Sequence, residues 1–157
     1  MRLSSYTWPD VLRGMTIYAV GDTIAALVLR EFFWMRLAGI MVVGGALYAL
    51  EIPNYFQWID SRRAGKFQRT VLAMLYFNPL WIARHILFIK LFSGRFDQIG
   101  WHLVRVGAWS FLTNVPFSAA GNYLIQNVIP LRHRFLRSAL FSAMMAIYYA
   151  VSSYWFR

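Results

Sequence analysis

Charge is missing from long stretches of this chain. Residues 14 to 29 hold Asp22 as their one charged side chain, 37 to 59 hold Glu51, and 106 to 131 and 138 to 156 hold none. A hydrocarbon layer about 30 Å thick is crossed by roughly 20 apolar residues of helix. Stretches of this length and purity restrict the chain to folds whose solvent is mostly lipid. A soluble domain carries about 25% charged residues. This chain of 157 residues has 14%, with 59% apolar and 18% aromatic, too little polar surface to cover itself in water. The apolar runs are continuous and do not alternate, which argues against strands and a membrane barrel.

The expected architecture is one all-α domain over 1–157, a polytopic membrane bundle of four to five hydrophobic helices with proline-broken spans. The spans fall at about 15–29, 37–59, 70–92, 101–125 and 138–156. Gly39, Gly44 and Gly45 lie on the second, where small residues let helix backbones approach closely in lipid. Pro53 is expected to break that helix near its end, Asn78-Pro79 interrupts the third segment and Pro116 the fourth. Trp8, Trp34, Trp58, Trp101 and Trp155 sit near segment ends, as interfacial aromatic belts do. Tyr154-Trp155 and Arg157 close the last span as an aromatic-plus-cation anchor.

If all five segments cross, the N-terminus and the loops 60–69 and 130–137 share a side. That side holds nine Lys and Arg, including Arg2 and Arg13, against five (Arg30, Arg36, Lys90, Arg95, Arg157) on the other. The positive-inside rule puts the nine on the matrix or cytoplasmic side. A net charge of +10 would suggest nucleic acid in a soluble protein. Here it gathers in loops beside anionic lipid, and nucleic acid is set aside as a partner. Head-group contacts are expected from Arg62, Arg63, Lys66 and Arg69, and from Arg132, Arg134 and Arg137, with cardiolipin a fitting lipid.

Enzyme signals are poor. Without cysteine there are no disulfides, thiolate metal sites or cysteine nucleophiles. His85, His102 and His133 lie in different segments, and no nucleophile elbow, zinc-binding helix, Walker loop or dinucleotide fingerprint occurs. Neither catalysis nor a cofactor is expected. The N-terminus lacks an apolar stretch before a cleavage site, so targeting, if to an organelle, is expected to be internal or to have used a presequence since removed.

The informative residues are the polar ones within lipid. A charge at mid-bilayer costs about 2.5–3.5 kcal/mol on insertion scales, so such residues face the bundle interior and find partners. Asp22, Glu51, Arg84 and Arg105 are the candidates, with Glu51 expected to pair with Arg84 or Arg105. Asn54, Asn78, Asn114, Asn122 and Asn127 are expected to join helices by hydrogen bonds. As a functional set these groups would line a pore or gate; as a structural set they are ion pairs and glue.

The order of features carries a family likeness. Gly14, then Gly21-Asp22, stand in the first span, Gly45, Pro53 and Trp58-Ile59-Asp60 in the second, and Asn78-Pro79 in the third. Trp109, Pro116, Asn122 and Pro130-Leu131-Arg132-His133-Arg134 follow, before a last helix with Tyr148, Tyr149, Ser152 and Ser153. Over nearly the whole chain this set resembles the Mpv-seventeen / peroxisomal membrane protein family. The chain departs from the pattern in having Gln57-Trp58 before the aspartate and Leu75-Tyr76-Phe77 before the third segment's proline.

The resemblance implies a small all-helical protein of the mitochondrial inner membrane or, less favoured, the peroxisomal membrane. It implies weakly selective channel activity or a part in membrane homeostasis and mitochondrial DNA maintenance. The family's usual four spans imply that the first or third segment is partial or re-entrant. The alternative is a non-catalytic accessory subunit of a large membrane complex, such as a respiratory or ATP synthase assembly. Such a subunit would bind lipid and neighbouring subunits, or itself.

Overall fold

Thr7 starts the first helix. Its hydroxyl oxygen accepts the Asp10 N–H at 3.3 Å, Pro9 occupies the first turn and Asp10 places a carboxylate at the positive helix end. Helix α1 then runs Trp8–Val28, beginning seven residues before the expected Met15. It ends where Arg30 takes a left-handed conformation (φ 56°), which turns the chain back on itself. The computed structural model describes residues 6–155. Arg2 and Arg157 lie outside them, as do the side chains of Tyr149, Ser152, Ser153, Tyr154 and Trp155.

After the turn come α2 (Trp34–Val42), a π-helical segment (Val43–Tyr48) and α3 (Ala49–Ser61) as one continuous rod. Pro53 does not break it: the helix continues through the proline, and beside it the Asn54 side chain donates to the Leu50 carbonyl at 2.7 Å. Asn78-Pro79 does divide the third rod, into α4 (Lys66–Tyr76) and α5 (Pro79–Phe92). Asn78 caps α5 by accepting from Leu80 and Trp81 N–H at 2.8 and 3.1 Å. A short 3-10 turn (Phe96–Gln98) leads to α6 (His102–Asn127), which passes through Pro116 unbroken, and α7 (Leu131–Trp155). No strand occurs among the described residues.

Neighbouring rods run antiparallel, and pairs of touching residues fix this. Gly14 meets Gly44 while Asp22 meets Arg36. Gly39 meets Phe92 while Glu51 meets Arg84. Asn127 at the end of α6 bonds Thr70 near the start of α4, at 3.1 Å. The third segment therefore travels the length of the bundle, and α1 is a full helix. Among the described residues three stretches are long and apolar enough to cross a membrane: α1, the rod Trp34–Ser61, and α4 with α5, Lys66–Phe92.

The core is aromatic where the rods converge. Tyr18, Tyr48 and Trp81 pack in series with ring centroids 4.7 and 5.3 Å apart, above a floor of Ile52, Phe56 and Ile82. Large apolar side chains also cover the outside. Leu12, Val20, Ile24 and Leu27 on α1 and Trp109, Leu112, Phe117 and Leu124 on α6 are exposed. Trp8, Trp34 and Trp101 stand exposed at rod ends.

Candidate functional site

The tight α1–α2 turn sets Asp22 opposite Arg36. Arg36 donates from Nε and Nη2 to the two Asp22 carboxylate oxygens at 2.7 and 2.6 Å, and both side chains are only 2% exposed. Glu31 lies 3.8 Å from the same guanidinium and bonds Arg95 at 2.6 Å, so the buried pair continues toward one end of the bundle. By sequence Arg36 falls in the loop between the first two apolar spans. The missing signal was the reach of a hairpin: residues fourteen apart face each other when the turn consumes about five.

Glu51 on α3 pairs with Arg84 on α5 through two bonds, of 3.1 and 2.8 Å, and accepts a third from Tyr76 at 2.7 Å. This group is half-buried and opens into a pocket of about 290 Å³ lined by Glu51, Tyr76, Asn78, Leu80, Trp81 and Arg84. Between the two ion pairs His85 is buried, its Nδ1 3.0 Å from the Tyr48 hydroxyl and its ring stacked on Trp81. Arg105 takes no part. It is exposed on α6, which corrects its candidacy as a Glu51 partner.

The uncharged polar residues are placed less as expected. Asn78 is a helix cap and Asn54 bonds its own helix. Asn127 does join helices, reaching the Lys66 carbonyl and the Thr70 hydroxyl. Asn114 and Asn122 belong to a larger feature. Ser110, Asn114, Ser118, Asn122 and Gln126 recur every fourth residue on α6, at 0, 6, 6, 2 and 0% exposure. Side chains four apart share a helix face, so α6 turns a polar stripe about 24 Å long into the bundle.

That stripe is incompletely satisfied. Asn122 donates to the Ser118 carbonyl at 2.9 Å and Asn114 to the Met145 sulfur at 3.6 Å. Neither amide atom of Gln126 has a hydrogen-bond partner among the described residues, and the Trp81 indole N–H also lacks one. Beside Ser118 and Asn122 lies a small cavity of about 20 Å³, bounded by Phe77, Trp81, Phe141, Ser142 and Met145. This is room for one water. Ser110, Ser118 and Gln126 escaped sequence reading, although their four-residue spacing with the two asparagines is visible along the chain.

The remaining motif positions are structural. Gly21 is pressed on Ala143, where an added Cβ would lie 2.7 Å from its neighbours. Asp60 is bound by Arg69 and by Arg134, the latter at 2.6 Å, tying the end of α3 to the starts of α4 and α7. Arg69 and Arg134 thus share one carboxylate, Arg69 half-buried and Arg134 buried. Trp58 stacks on Tyr55, Trp109 and Pro116 face outward, and exposed Pro130 precedes α7. No three His, Asp or Glu side chains gather into a metal-binding set among the described residues. Comparison with known proteins finds no matching family model, curated protein or solved structure.

Proposed function

We propose that the chain is an integral membrane protein whose five rods all cross the bilayer, with the α6 stripe forming the wall of a narrow path for water and small polar solutes. The observation that carries this is the inside-out character of α6. It buries two serines, two asparagines and a glutamine while exposing Trp109, Leu112, Phe117 and Leu124. Water would reverse that arrangement; lipid outside and a hydrated seam inside favour it. It also accounts for α6 not being apolar enough to count as a span by composition: its polar residues face its neighbours. This channel-like role agrees with the resemblance to the Mpv-seventeen / peroxisomal membrane protein family, which makes the mitochondrial inner membrane the expected location and the peroxisomal membrane the less favoured one.

Purified protein in sealed lipid vesicles tests the reading. Efflux of a trapped small solute is expected to exceed that of protein-free vesicles. Replacing Asn114 and Asn122 together by leucine is expected to return it to the protein-free rate. Wild-type efflux equal to that of empty vesicles defeats the proposal.

A second reading, an accessory subunit within a large membrane assembly, is favoured by one observation: Asp22, Glu31, Glu51, Arg36, Arg84 and Arg95 are all mutually paired, as in a static scaffold. Native mass after gentle detergent extraction separates the two. A particle of many times the chain's mass supports the subunit, whereas a monomer or small homo-oligomer supports the path.

A further inference from the structure

One end of the bundle carries more positive charge than its acids answer. At the close of α3 and the starts of α4 and α7, Asp60 is committed to Arg69 and Arg134. Arg62, Arg63, Lys66, Arg132 and Arg137 are exposed there, and none of them is in a salt bridge among the described residues. Helix starts ordinarily favour acids, because their free N–H groups carry partial positive charge. Helices α4 and α7 have no acid in the first turn and open instead on Lys66 and Arg69, and on Arg132 and Arg134. Cations placed on positive helix poles repel unless an anion joins them.

Beside these cations the α3–α4 turn leaves a groove of about 400 Å³, walled by Trp58, Ala64, Phe67, Val71 and Leu72. Arg62 stands at its mouth, its guanidinium 4.6 Å above the Trp58 ring. From the groove, exposed Phe67, Val71 and Leu75 continue at four-residue spacing along α4. A positive site at the helix end with an apolar track running from it is complementary in shape and charge to one anionic lipid molecule.

We propose that this groove holds an acyl chain of an anionic phospholipid whose phosphate is bound by Arg62, Arg63 and Lys66. The site rests on the membrane reading above, but not on solute passage. Its cations are distinct from Arg69 and Arg134, which Asp60 neutralises.

The test uses the whole protein, extracted from membranes, stripped of lipid in detergent and titrated under native mass spectrometry. The probes are dioleoyl phosphatidylglycerol, dioleoyl phosphatidylcholine and soluble glycerol phosphate. Phosphatidylglycerol is expected to bind in preference to phosphatidylcholine, and glycerol phosphate not to bind. Arg62→Gln with Lys66→Gln is expected to weaken phosphatidylglycerol about thirtyfold, and Arg63→Gln alone about fivefold. These side chains are exposed, so unchanged melting is expected of both variants. Arg30→Gln with Arg105→Gln removes equal charge elsewhere and is expected to change nothing.

Equal binding of the two lipids overturns the site. So does equal loss in the two double variants, which is attraction by net charge, or glycerol phosphate binding as tightly as lipid, which is a free-phosphate site. A chain that needs no detergent ends the membrane reading and the groove together. A detergent-dependent chain indifferent to phosphatidylglycerol ends the groove alone.

Discussion

Replacing Asp22 by alanine is expected to destabilise the bundle by about 3–5 kcal/mol. The change leaves the Arg36 guanidinium, itself 2% exposed, with only Glu31 at 3.8 Å as a counter-charge. Taking a charge from water is repaid here by two short bonds to one carboxylate, and both are lost at once. A second substitution, Arg36→Met, is expected to recover most of the loss, because a buried pair replaced by apolar groups of similar size is often neutral. Melting of the purified protein in detergent measures both. Glu51→Ala gives the contrast: its pair with Arg84 is about a third exposed beside an open pocket, and a smaller loss than that of Asp22→Ala is expected. An Asp22→Ala melting point equal to wild type would mean that Arg36 reaches water.

The second large effect is steric. At the crossing of α1 with the π segment, a Cβ on Gly14 would lie 2.2 Å from the Gly44 carbonyl oxygen, and one on Gly44 would lie 2.5 Å from that of Gly14. Backbone meets backbone, so no side chain can move aside. Gly44→Leu is expected to pry the helices apart and destabilise at or above the upper end of about 1–3 kcal/mol. Because the Asp22–Arg36 pair lies on the same two helices, its geometry is expected to suffer too. Gly65→Ala is the control, since nothing lies within 4 Å of a Cβ there. If Gly44→Leu melts like the control, the helices do not touch at this crossing.

Hydrophobic runs announced the five rods and polar loops announced their ends, because the cost of placing charge in lipid acts on composition alone. The Asn78-Pro79 break was equally legible, since a capping side chain followed by proline is a local signal. Pro53 and Pro116 misled for a related reason. Whether a helix survives a proline depends on what surrounds it, and both prolines here sit inside rods that continue as helix on either side. Arg36 was missed because its partner comes from another helix and the turn geometry decides the match. The α6 stripe was legible in principle. Its period of four stands in the chain, but serine and glutamine cost little in an apolar helix, so composition alone does not require them to face inward.

Accessibility of single cysteines along α6 tests the polar path most directly, and the chain's lack of native cysteine leaves no background. Ser118→Cys and Asn122→Cys are compared with Leu112→Cys, Phe117→Cys and Leu124→Cys in protein reconstituted into bilayers. A thiol reacts as its thiolate, which needs water. The expected result is that a small charged thiosulfonate modifies the two stripe positions, while the three outward positions react only with a lipid-soluble maleimide. Labelling of the outward positions from water, with the stripe silent, would contradict the account: the apolar face would then be the wet one and the seam dry.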